Sequence, residues 1–103
     1  MTTLAFDMKP GIATQVRITD AGLIVELLDG RTITVPLAWY PRLFRATAAE
    51  QNNWRFIGKG EGIHWPDLDE DVSVADLLMG KPSGESQRSF ERWKANRAAA
   101  GRS

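Results

Sequence analysis

Two short turn sequences near the start of the chain constrain the fold more than any other feature. Asp20-Ala21-Gly22 and Asp29-Gly30 separate three segments that are rich in Val, Ile and Leu and have the length of β-strands. Turns this short join strands that are adjacent and antiparallel. The sequence therefore predicts a three-stranded antiparallel meander, with strands at residues 13–19, 23–28 and 31–35.

Two short helices are predicted next. Apolar residues recur at helical spacing over residues 37–46, which indicates one helix. Thr47 and Glu50 then have the spacing of a capping box, in which each side chain accepts a hydrogen bond from the other residue's backbone N–H. A second helix is therefore expected from residue 48 to about residue 54.

A small second hairpin is predicted after these helices. Residues 55–57 and 63–65 are short strand candidates on either side of the glycine-spaced turn at residues 58–62. Ser73 then opens another short helix with a capping pattern, and Gly80 ends it. The sequence thus predicts an α+β fold, consisting of a meander, short helices and a second hairpin.

The end of the chain differs from the rest in charge. Residues 1–80 contain seven Lys and Arg against eleven Asp and Glu, whereas residues 81–103 contain six against two. Residues 81–85 have the composition of a linker, and residues 86–100 are good helix formers with few apolar side chains. We therefore predict one α+β domain over residues 1–80, followed by a linker and a basic C-terminal helix over residues 81–103.

The composition narrows the classes of protein and of chemistry. A chain of 103 residues that is 43% hydrophobic and 25% charged is typical of one globular domain. It has no cysteine and a single histidine, which excludes cysteine chemistry and histidine-rich zinc sites. The sequence lacks the pattern of a signal peptide or a membrane span, so we expect a cytoplasmic location and no membrane contact.

Three motifs identify a family that this chain resembles. They read VPLAWYPRL at residues 35–43, NWR at residues 53–55 and GKGEGIHWPDLDED at residues 58–71. In these motifs the chain resembles the bacterial family named domain of unknown function 2442. The resemblance implies a compact α+β domain and genes that often lie in pairs similar to toxin–antitoxin pairs. Some members carry a helix-turn-helix after this domain, but the segment after Gly80 is too short for one.

Three groups of residues are candidates for a chemical role. Asp67, Asp69 and Asp71 alternate like the first ligands of a calcium loop, but the later ligands of such a loop are absent. His64 is interpreted as an edge-strand residue or as a core histidine bonded to a carboxylate. The glycines at residues 58–62 are expected to supply positive φ angles in a tight turn, because no helix start follows for a phosphate to bind.

The tryptophans and the basic tail suggest interaction surfaces. Trp39, Trp54 and Trp65 are expected to form much of the core, and an exposed tryptophan would mark an interface. The basic C-terminal helix could dock on the acidic body, on a partner or on nucleic acid. The residues predicted to bind a partner are Trp39, Tyr40 and Arg42 on one surface, and Phe90, Trp93 and Arg97 on the other.

The leading functional hypothesis is a small binding or regulatory domain, the antitoxin-like member of a gene pair, that masks a small protein partner. An uncovered edge of the meander would allow a homodimer, but the sequence does not determine the oligomeric state. No enzymatic activity, cofactor or metal is predicted. The alternative is a nucleic-acid-binding regulator that acts through the basic helix. A second alternative is a metal-dependent or small-molecule site around His64, with Asp67 and Asp69.

Overall fold

The first sheet is the predicted meander. The computed structural model describes residues 11–100. In it β1 (Ala13–Thr19), β2 (Gly22–Leu27) and β3 (Thr32–Val35) pair antiparallel in the order β1-β2-β3. Val16 and Val25 are register partners and both are buried. The prediction is confirmed because alternating apolar residues and short turns specify both the pairing and the buried face.

The second sheet has one strand more than predicted. β4 (Arg55–Ile57), β5 (Gly62–Trp65) and β6 (Glu70–Ser73) pair antiparallel in the order β4-β5-β6. The sequence predicted only the β4–β5 hairpin and no strand over the residues of β6. β6 contains a single apolar residue, Val72, because its other inward-facing residue is Glu70.

The first helical segment is interrupted where one helix was predicted over residues 37–46. A 3₁₀ turn (Leu37–Trp39) is followed by the one-turn helix α1 (Pro41–Phe44). Tyr40 lies between them with φ −125° and ψ 87°. The residue before a proline is disfavoured in the helical region, so Pro41 prevents a continuous helix.

The next two helices have the predicted caps. The capping box of Thr47 and Glu50 opens α2 (Ala48–Asn52), which ends two residues before the predicted end. Ser73 accepts a hydrogen bond from the backbone of Asp76 at the start of α3 (Val74–Leu78). The C-terminal helix, α4 (Gln87–Ala100), is confirmed as well.

The core lies between the two sheets and the short helices. Trp65 is fully buried at its centre, and its indole N–H donates to the carbonyl of Gln51 in α2 over 3.0 Å. Trp39 and Trp54 pack against this core but are only partly buried. The large side chains that are completely enclosed are Trp65, Leu23, Leu43, Ile63, Leu68, Val25, Val72 and Val74.

The predicted division into residues 1–80 and 81–103 stays a prediction. Its outermost segments, residues 1–10 and 101–103, lie outside the described residues. Within residues 11–100, no helix has both the length and the apolar character that crossing a membrane requires.

Candidate interaction site

Arg42, one of the residues predicted to bind a partner, joins three parts of the chain. From α1, its guanidinium donates to both oxygens of the Glu85 carboxylate in a bidentate contact, with an Nη2–Oε2 distance of 2.7 Å. Its Nη1 donates to the carbonyl oxygens of Leu68 at 2.9 Å and Asp69 at 3.3 Å, in the β5–β6 turn. Every nitrogen of the guanidinium therefore has an acceptor within the chain.

Trp93 of α4 contacts two guanidinium groups. The Cζ atom of Arg42 lies 5.4 Å from the ring centroid of Trp93, and that of Arg97 lies 4.6 Å away. Phe90 stacks on Trp93 with a centroid distance of 5.7 Å and an interplanar angle of 18°. Both guanidinium groups lie within the distance range of cation–π attraction to the Trp93 ring. We call Arg42, Trp93 and Arg97 the arginine–tryptophan cluster.

An ion pair completes the attachment of α4 to the body. Arg97 donates to both carboxylate oxygens of Glu50 in α2, each at 2.9 Å. These hydrogen bonds from Arg97 lower the pKa of Glu50 to about 2. The basic helix therefore docks on its own acidic body, which is one of the outcomes that the sequence left open.

Tyr40 and Trp39 contact the segment that leads to α4. Tyr40 is buried, and burial raises the pKa of its phenol to about 12. Its hydroxyl lies 3.5 Å from the carbonyl oxygen of Lys81, and the carbonyl of Trp39 accepts from the backbone N–H of Ser83. All six predicted residues thus make contacts within the chain, and a role for them in partner binding stays a prediction.

Among the described residues, the most exposed aromatic side chain lies beside a groove and belongs to the apolar residues with helical spacing over residues 37–46. Phe44, at the end of α1, is 57% exposed, whereas the adjacent Leu43 is fully enclosed. Adjacent residues of a helix point about 100° apart, and only Leu43 of the pair faces the core. Phe44 lines an open groove of about 570 Å³. The groove residues are Ile18, Thr19, Asp20, Ala21, Gly22, Pro36, Leu37, Ala38, Phe44 and Gln51.

A second concave feature is built around a buried acid. Glu70 at the start of β6 is only 9% exposed and lines a cavity of about 200 Å³. Burial raises the pKa of its carboxyl to about 7, although Arg42 partly opposes the rise. Sequence reasoning did not foresee that Glu70 is buried, because this residue lies among surface acids. Glu70 lies two positions before Val72, with an exposed residue between them. This spacing is typical of strand residues that share an inward face.

The acidic stretch and His64 do not form a metal site in the described residues. His64 is on the central strand β5, not on an edge, and its Nδ1 hydrogen-bonds the carboxylate of Asp71, its register partner on β6. Asp67 accepts a hydrogen bond from Asn53 instead. Over residues 11–100, no group of three or more His, Cys, Asp or Glu side chains could hold a metal ion.

The glycines of the turn between β4 and β5 have a conformational role. Gly58 and Gly60 have φ angles of 63° and 108°, as predicted. The turn runs directly into strand β5, so its amides do not lie at a helix start where a phosphate would bind.

Comparison with known proteins identifies a family but no activity. The model of the family "Protein of unknown function (DUF2442)" matches residues 13–83. No curated protein matches the chain. A crystal structure of a protein of unknown function from Rhodospirillum rubrum ATCC 11170 is similar, with a TM-score of 0.66 and 28% identity over 78% of this chain and 98% of that one. The motifs, the fold and the extent of the family match agree, and the chain belongs to the DUF2442 family of proteins of unknown function.

Proposed function

We propose that this chain is a protein-binding module, the antitoxin-like member of a pair, that binds a small protein partner through the groove at Phe44. The observation that carries the proposal is the exposure of Phe44, a large aromatic side chain, beside an open groove that apolar and polar residues line together. An exposed aromatic side chain beside a concavity is typical of the anchors at protein interfaces.

The composition of the groove supports a protein partner. Ile18 and Leu37 are partly buried in it and provide apolar walls, while Asp20 and Gln51 contribute polar groups. Apolar centres with polar rims are typical of specific protein interfaces. A partner that inserts one apolar side chain beside Phe44 would remove this surface from water.

The contacts of the basic helix favour this proposal over nucleic-acid binding. Arg97 is paired with Glu50, and Lys94 is paired with Glu91 at 3.2 Å. Two of the cations of α4 are thus partly neutralised within the chain, which leaves less positive charge to attract a phosphate backbone.

The test uses the small protein encoded next to this chain, because the family resemblance implies such gene pairs. The full chain and that protein are purified separately, and their affinity is measured by isothermal titration calorimetry. We expect binding, and we expect Phe44→Ala to weaken it at least tenfold because an aromatic anchor contributes about 2 kcal/mol or more. Met79→Ala is the matched control: Met79 is 66% exposed and lies outside the groove.

Two results would contradict the proposal. One is the absence of binding, and the other is an equal loss of affinity in both variants. Binding of duplex DNA with a steep dependence on salt would instead support the nucleic-acid alternative.

A further inference from the structure

Glu70 lines the cavity, and its carboxylate has no hydrogen-bond partner among residues 11–100. Glu70 and Val72 both face inward from the edge strand β6. Among residues 11–100, the side chain of Glu70 makes no hydrogen bond or ion pair, and every completely enclosed side-chain nitrogen or oxygen has a partner. The oxygens of Glu70 are therefore not completely enclosed, and the cavity is the concave space that this residue lines.

The cavity is small and contains more acids than bases. Its volume of about 200 Å³ is below the range of about 300–1,000 Å³ that is typical of drug-sized ligands, but it has room for a short side chain or a small organic ion. Besides Glu70, the lining includes the acids Asp71 and Asp76 and the base Lys81. The carboxylate of Asp71, however, bonds His64 on β5. The lining consists of Tyr40, Glu70, Asp71, Val72, Ser73, Asp76, Lys81, Pro82, Ser83 and Gly84.

We propose that this cavity binds one guanidinium or primary ammonium group, carried on a short unbranched chain, with the carboxylate of Glu70 as its counter-ion. A buried carboxylate is costly unless a positive group with hydrogen-bond donors accompanies it. A cation with several N–H donors meets that need, and the phenol of Tyr40 provides a further acceptor. A metal ion is a poorer fit, because the described residues contain no set of metal ligands here.

Arg42 is the guanidinium that acts on the charge of Glu70, but its donors are already used. It attracts the charge of Glu70 without a hydrogen bond to it, because its nitrogens bind Glu85 and the carbonyls of the β5–β6 turn. The like charges of Glu85, Asp71 and Asp69 oppose ionisation of Glu70. Because burial and these neighbours raise the pKa of Glu70, an added cation would be bound together with the release of a proton near neutral pH.

An inward-facing charge on an edge strand has a simpler explanation, which the test must distinguish from ligand binding. Such a charge discourages another strand from pairing with that edge. That role requires no ligand, so it predicts no saturable binding of small cations. The cavity also shares no lining residue with the groove at Phe44, so the inference does not depend on the proposed function.

The experiment titrates the ¹⁵N-labelled full chain with methylguanidinium, with n-butylammonium and with the capped tripeptide acetyl-Gly-Arg-Gly-amide. Methylurea, which has a similar shape but no charge, is the ligand control. At pH 8 we expect saturable shifts of the amides of Asp71, Ser73 and Lys81 with the cations and none with methylurea. Glu70→Gln should weaken binding at least tenfold, and Glu26→Gln, which changes an acid exposed on the first sheet, should leave it unchanged.

Lowering the pH to 5.5 should weaken cation binding to the unsubstituted chain at least tenfold, because Glu70 becomes protonated. This measurement does not depend on the folding of any variant. Tighter binding of the peptide identifies an arginine of a protein partner as the source of the group, and binding of only the small cations identifies a free molecule. The proposal is overturned if no cation saturates the site below ~10 mM at pH 8, or if Glu70→Gln binds as well as the unsubstituted chain.

Discussion

At the scale of single residues, Arg42 shows why an arginine and not a lysine suits its position. Its planar fork binds both oxygens of Glu85 while Nη1 reaches the carbonyl of Leu68, and its face packs near Trp93. A lysine ammonium cannot make the bidentate contact or stack on the ring in the same way. Arg42 therefore holds α1, the β5–β6 turn and α4 together by geometry as well as by charge.

Glu70 makes the stability of the fold depend on pH. The pKa of Glu70 is raised from 4.5 to about 7 in the folded state, mainly by burial. The folded chain therefore binds more protons than the unfolded chain between these values, and the free energy of unfolding falls as pH rises from about 4.5 to about 7. We expect Glu70→Gln to raise that free energy by about 1–3 kcal/mol at pH 8 and to change it little at pH 4.5.

Urea denaturation of both proteins at the two pH values measures this difference. Glu26→Gln again serves as the control, since Glu26 is exposed and paired only with Arg17 over 3.5 Å. An equal effect of Glu70→Gln at both pH values would show that burial of the charge is not the cause.

At the scale of elements, the glycine turn between β4 and β5 connects the two sheets through a backbone hydrogen bond. The backbone N–H of Ala13 in β1 donates to the carbonyl of Gly60 over 2.7 Å. A Cβ atom on Gly60 would lie 2.4 Å from the carbonyl oxygen of Ala13, and the φ angle of 108° is unfavourable for other residues. The turn therefore requires glycine at this position for two separate reasons.

Gly60→Ala should accordingly lower the free energy of unfolding by about 2 kcal/mol or more, because it adds backbone strain and forces the sheets apart. Thermal denaturation followed by circular dichroism measures the change. Gly84→Ala is the control, because Gly84 has no neighbour within 4 Å of an added Cβ and no positive φ angle. A similar loss in the two variants would refute the role assigned to the turn.

At the scale of the whole molecule, the C-terminal helix contributes little to the hydrophobic core. Among residues 11–99, the buried apolar residues all lie between Ala13 and Leu77, whereas α4 contributes only Trp93, and that side chain is partly buried. The helix is attached mainly through the arginine–tryptophan cluster and the pair of Arg97 with Glu50. The body should therefore fold without it.

A chain that ends after Ser86 tests this expectation. We expect a dispersed amide spectrum and retained sheet structure, with the free energy of unfolding lowered by about 1–3 kcal/mol through loss of the cation–π contacts and one ion pair. Trp93→Ala in the full chain should reproduce much of that loss. A collapsed spectrum of the shortened chain would show that α4 is part of the folding unit.

The elements were predictable where the determining interactions are local. Three kinds of feature depend on a few adjacent residues. They are the turns at Asp20-Ala21-Gly22 and Asp29-Gly30, the capping box of Thr47 and Glu50, and the positive φ of Gly60. The break at Tyr40 also has a local cause in Pro41, although the helical spacing of the apolar residues concealed it. Strand β6 was missed because an inward-facing acid disrupts the apolar alternation that marks a strand.

The candidate site could be predicted only in part. Sequence reasoning selected Arg42, Trp93 and Arg97 for their chemistry, but placed them on two separate surfaces. It could not foresee that Phe44 would be exposed or that Glu70 would be buried. Both outcomes depend on how elements distant in the chain pack, which no local pattern encodes.

The sequence by itself thus determined the α+β class, the meander, the caps and the family, because each of these is written in neighbouring residues or in short motifs. Only the tertiary structure decided that the basic helix α4 docks on its own body and that a buried acid lines a cavity. The physical reason is that burial and pairing of charges are properties of contacts between residues far apart in the chain. Glu50 and Arg97, which meet across 47 positions, are an example.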